Sequence, residues 1–170
     1  MFKRSSIAAP ALAEPTLPAF AHLTPEEHGS FMAGFSHPLF GADHILAMVA
    51  VGIWAAQIGG RALWVVPSAF VGTMAIGFMM AIGGIDLPFV VPAILASVIA
   101  LGLLVAMAAR LPVSAAAAGV GIFALLHVHA HGGELDSAGA LHVGVGFVIA
   151  HALLPAACTA VGYGVGPSRQ

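Results

Sequence analysis

The sequence predicts an all-α fold, a polytopic membrane helix bundle of about five transmembrane helices, on three observations. Charged residues make up 7% of the 170-residue chain and its mean hydropathy is +1.03, whereas about 25% of the residues in a soluble domain are charged. The apolar residues gather into runs close to the roughly 20 residues a helix needs to cross a bilayer. Those runs are apolar on every face, unlike the alternating segments of about ten residues that build a membrane barrel.

Five spans follow in order: Phe31–Gln57, Ala62–Ile82, Leu87–Ala109, Pro112–Ala130 and Leu141–Tyr163. Gly and Ala recur within them. Thr73 with Gly77, and Gly77 with Ala81, have the four-residue spacing that lets helix backbones approach closely. Arg61, Arg110 and Arg169 follow the first, third and fifth spans, while Asp86, Glu134 and Asp136 follow the second and fourth. Basic loops belong in the cytoplasm, so the amino end is expected outside and the carboxyl end inside. Trp54 and Trp64 bracket the first basic loop, where interfacial aromatics are expected.

That orientation places a demand on the amino terminus, because Lys3 and Arg4 would otherwise hold it inside. A signal peptide over residues 1–21 meets the demand: Ile7 to Ala13 is a short apolar region and Ala19-Phe20-Ala21 resembles a cleavage site. Residues 22–170 then form a single transmembrane domain. His22, Glu26, Glu27 and His28 read as an exposed outer segment. The net charge of -2 points away from nucleic acid. Cys158, the single cysteine, leaves no internal disulfide and reads as a small packing residue, and Met79-Met80 reads as helix packing.

Polar groups inside the first span carry the chemistry. His37-Pro38-Leu39-Phe40-Gly41-Ala42-Asp43-His44 sets two imidazoles and a carboxylate where a charge costs about 2.5 to 3.5 kcal/mol, which marks a functional site by default. No Arg or Lys lies within a span to neutralise Asp43. Pro38 suits the first position of a helix, so Ser36 or His37 is expected to cap a helix running from Pro38 to Gln57, preceded by a separate segment over Gly29 to Phe35. In a straight helix His37 and His44 share a face but stand about 10.5 Å apart along the axis, too far for one ion with bonds of about 2 Å. Either the backbone breaks near Pro38 and Gly41, or other helices complete the shell.

A second set, Leu126-His127-Val128-His129-Ala130-His131-Gly132-Gly133-Glu134, closes the fourth span. His127 and His131, four apart, face one way on a helix, while His129 points elsewhere unless the helix ends there. Three imidazoles and a carboxylate suit a borderline divalent ion such as nickel, cobalt or zinc. The two sets form one site or two stations on one path. His142 and His151, nine apart, point to opposite faces of the fifth span and read more readily as hydrogen-bonded core residues than as ligands.

The His37-to-His44 motif, followed by Leu46-Ala47-Met48, resembles the first-span signature of the HupE/UreJ proteins, and His129-Ala130-His131-Gly132 resembles their second histidine motif. The resemblance runs from His22 onward. It implies a small bacterial inner-membrane protein, not an enzyme, that acts as a secondary permease for nickel and in some cases cobalt and serves hydrogenase or urease maturation proteins. It further implies that His37, Asp43 and His44 are needed for transport, with His129, His131 and Glu134 assisting near the outer entrance. The fifth-span histidines have no counterpart in that pattern.

No prosthetic group is expected, and no phosphate-binding Gly-Lys-Ser/Thr loop is present to couple transport to ATP. The metal ion is cargo. Because ligand imidazoles must be neutral, uptake is expected to weaken as the outer pH falls through about 6. Two other classes remain in view: an intramembrane zinc hydrolase, for which no spare intramembrane carboxylate offers a general base, and a nickel-binding accessory protein that does not conduct. An odd number of spans gives no inverted repeat from which to read a path.

Overall fold

The computed structural model describes residues 31–132 and 139–165. The expected signal peptide, the outer segment over residues 22–30, Glu134 and Arg169 lie outside them. Six helices follow in chain order: α1 Phe31–Phe40, α2 Ala42–Ile58, α3 Ala62–Ile82, α4 Val90–Ala106, α5 Val113–Gly132 and α6 Ala140–Val165. The fold is a helical membrane bundle. By length and composition α3 and α6 each suffice to cross a membrane, and α1 with α2 suffice as one broken span bent by 78°. Val90–Ala106 and Val113–His129 are shorter apolar helices.

The first span breaks at Gly41, within the Pro38 and Gly41 region left open by the sequence, but it departs from expectation in where its helix starts. The helix does not start at Pro38, which is buried within α1. The lost Pro N–H removes a single helical bond, and α1 continues to Phe40. Gly41 is the hinge: its N–H donates to the His37 carbonyl (3.1 Å), and its own carbonyl accepts from Ile45 N–H (3.0 Å). With φ -81° and ψ 117° it is extended between the two helices and gives α2 no side-chain cap. Ser36 turns its hydroxyl to the Ala33 carbonyl (3.4 Å) and caps nothing.

The third span is shorter than its apolar run. Pro88 and the left-handed Phe89 (φ 60°) precede α4, so its helix begins at Val90. The 17 residues of α4 reach about 25 Å against a hydrocarbon core of about 30 Å.

Packing follows four-residue stripes. Val66, Phe70, Met74 and Phe78 line the buried side of α3; Ala116, Val120, Ala124 and Val128 line that of α5. Lipid offers no hydrophobic force between helices, so close backbone approach has to supply dispersion contact instead. At Gly77 a Cβ would stand 2.6 Å from the Leu125 carbonyl oxygen, and one at Gly121 would stand 3.1 Å from Thr73 Cγ2. The small-residue pair Thr73 and Gly77 thus seats α3 on α5, as its spacing predicts. α1 lies still closer to α6: a Cβ at Gly34 would meet the Val143 carbonyl oxygen at 1.9 Å, and one at Gly146 the Phe31 carbonyl oxygen at 2.1 Å. Outward, Leu95, Ile99 and Leu103 form an exposed stripe on α4, suited to acyl chains.

The two tryptophans part company. Trp64 is exposed, with the Arg61 guanidinium 5.8 Å from its ring centre, as an interfacial residue would be. Trp54 is buried, and its indole N–H donates to the Ala109 carbonyl (2.8 Å) while the Gln57 amide donates to the Val105 carbonyl (3.1 Å). Both bonds tie α2 to the end of α4 and the residues just after it.

Candidate metal centre

The bend at Gly41 brings the two ends of the first motif together. His37 occupies the last turn of α1 and His44 the first turn of α2, and their ring centres lie 5.4 Å apart. The sequence left two solutions to the spacing problem, and the fold uses both: the backbone breaks, and α5 adds a side chain. His127 Nε2 stands 3.3 Å from an Asp43 carboxylate oxygen, and the His44 and His127 ring centres are 4.5 Å apart. The carboxylate contact is longer than the 2.7 to 2.9 Å of a charge-assisted N–H···O bond.

Each of Asp43, His44 and His127 offers one ligand atom, and the three atoms lie within 4.8 Å of one another. Bonds of about 2.0 to 2.1 Å place neighbouring ligand atoms roughly 3 to 4 Å apart, so a small inward shift closes this set on a divalent ion. One carboxylate and two imidazoles form the mixed donor set that first-row borderline metals take. His44 and His127 are almost fully buried, whereas the Asp43 side chain is 42% exposed and so opens the cluster on one side.

Glycine at 41 is required by space, since its extended backbone (φ -81°) is open to any residue. A Cβ there would stand 2.8 Å from His44 Cδ2 and 3.1 Å from the Asp43 carboxylate. The motif therefore carries its own clearance for the two side chains it presents.

Comparison with known proteins identifies a family. The HupE / UreJ protein family model matches residues 11–170. The chain belongs to the HupE/UreJ family. It is similar to Protein HupE of Rhizobium leguminosarum bv. viciae, 53% identical over 127 residues that make up 75% of this chain and 65% of that protein. The chain thus spans less than two thirds of that relative's length. No solved structure matches.

The second motif divides. His127 joins the cluster, whereas His129 gives its Nε2–H to the Ile85 carbonyl and so ties the end of α5 to the α3–α4 connection. His131 lies in α5, but its side chain is outside the described residues, as is Glu134. His142 is exposed.

One further member of the assembly reads from the sequence as a hydrogen-bonded core residue, and it is one; what that reading leaves out is its place beside the cluster. His151 of α6 is fully buried, and its Nε2 lies 3.2 Å from His44 Nδ1. Its other nitrogen, Nδ1, is 2.9 Å from the Phe147 carbonyl. The signal was available, because an ionisable residue in the middle of an apolar helix is a functional candidate wherever it occurs. The same rule that selects Asp43 selects His151.

Proposed function

We propose that the protein carries a divalent transition-metal ion, nickel first and cobalt second, across the bacterial inner membrane as a secondary permease. The observation that carries this reading is the convergence of Asp43, His44 and His127 at a broken helix within a membrane bundle. Broken helices at intramembrane ion sites are a recurrent device of transporters, because the break frees backbone and side chains to face a cargo. Family membership supports the same reading, and the delivered metal then serves hydrogenase or urease maturation.

In this proposal the ion sheds part of its water at the outer histidine tract, with His131 and Glu134 near the entrance and His129, expected there from the sequence, serving as the tether to Ile85. It passes to His37, Asp43, His44 and His127 and is released inward. The amino end faces the periplasm once residues 1–21 are removed, and the carboxyl end faces the cytoplasm. An inside-negative potential of about 100 mV favours inward movement of a dication by about 4.6 kcal/mol, twice the single-charge value. Tenfold corresponds to about 1.4 kcal/mol, so that potential sustains more than about a thousandfold accumulation.

Radiolabelled nickel uptake by cells carrying Asp43→Asn or His44→Ala tests the assignment. Uptake is expected to fall at least about tenfold, since even an outer partner of a ligand is worth 10- to 100-fold. Unchanged uptake removes the role assigned to these residues.

A further inference from the structure

We propose that His151 is a positioning residue that fixes the tautomer of His44, so that a metal ion ligates His44 through Nε2. The order of donors and acceptors follows from one group whose role is not adjustable. The Phe147 carbonyl can only accept, so His151 Nδ1, 2.9 Å away, carries the hydrogen. A neutral imidazole has one N–H, which leaves a lone pair on His151 Nε2. That nitrogen is 3.2 Å from His44 Nδ1, so His44 Nδ1–H donates to it. The neutral His44 ring then bears its own lone pair on Nε2.

His151 is fully buried and His44 is 1% exposed. The Phe147 ring centre lies 4.1 Å from that of His151, and the Phe70 ring centre 6.2 Å, so a charge on His151 would carry a desolvation cost in this apolar casing. His44 borders Phe147 on one side (5.5 Å) and the Asp43 carboxylate with the His127 and His37 rings on the other, so the direction of its hydrogen bond is set by His151. The carbonyl itself is fixed in α6, four residues before His151, so the helix sets the direction of the whole relay.

Such outer partners are general in metal sites, where the hydrogen bond on one ring nitrogen decides which nitrogen meets the metal. Here the relay couples α6 to the ligand face of α2 without His151 touching the ion. The tautomer assignment stands by itself, while its consequence for nickel rests on the transport reading above.

The test is nitrogen-15 NMR of the full chain in lipid bilayers without metal, with the His44 ring assigned through its backbone, alongside nickel binding by calorimetry. The expected wild-type spectrum shows His44 protonated at Nδ1. His151→Leu is expected to release that preference and lower nickel affinity about 10- to 100-fold. His151→Gln, whose amide oxygen can accept from His44 Nδ1–H, is expected to restore both toward the parent values. A His44 protonated at Nε2 in the parent, or a tautomer and affinity unmoved in His151→Leu, overturns the proposal. Protonation at Nδ1 in a parent that binds no nickel supports the tautomer assignment and sinks the transport reading alone.

Discussion

Asp43 and His129 show how a side chain's neighbours decide its part. Asp43 meets His127 across a helix interface, whereas His129, two residues further along α5, spends its ring N–H on the Ile85 backbone. His129→Gln keeps a donor for that carbonyl and is expected to retain nickel uptake, whereas His127→Gln is expected to reduce it at least about tenfold. Equal losses in both variants, measured in the same cells, would mean that His129 acts as a ligand and not as a tether. At Gly41 the expectation is steric. Gly41→Ala drives a methyl against the His44 ring, which its hydrogen-bonding distance to His151 holds from behind, so nickel affinity should drop while the helices persist by circular dichroism. The cluster was partly legible: a buried carboxylate beside imidazoles announces itself by its cost in lipid. What the spacing could not supply was which of His127, His129 and His131 turns inward, because that depends on how α5 is rotated against α2.

Element scale brings the glycines forward. α1 is ten residues long, too short to cross a membrane by itself at about 1.5 Å per residue, so its position rests on contact with α6. Gly146→Val places a Cβ about where the Phe31 carbonyl oxygen now lies, and overpacking of this kind costs roughly 1 to 3 kcal/mol. A lower unfolding temperature in detergent, with nickel binding weakened through the displaced His37, is the expected result. Gly72→Ala is the matched control, since nothing lies within 4 Å of a Cβ there, and it should be neutral. Helix type and rough bounds were readable from uniform apolarity and length. The break near Pro38 and Gly41 was one of two alternatives, but the helix start expected at Pro38 lies at Ala42, because a proline removes one hydrogen bond whereas a glycine removes the side chain that would collide with His44. Trp54 was likewise misplaced at the interface, since its donation to the end of α4 depends on a tertiary neighbour.

For the whole molecule, four helices meet at one group of side chains: α1 gives His37, α2 gives Asp43 and His44, α5 gives His127 and α6 gives His151. His151 lies about 16 Å along α6 from Ala140, while His44 stands in the first turn of α2 and His127 in the second half of α5. A dication crossing the membrane feels the potential across it, so accumulation should change about tenfold for every 30 mV imposed. The most direct measurement is nickel flux into proteoliposomes under an imposed inside-negative potential, with the parent chain and Asp43→Asn reconstituted at equal density. The account predicts potential-dependent nickel accumulation by the parent and the level of empty liposomes for the variant. Equal flux from the two, or a parent no better than bare lipid, would contradict it.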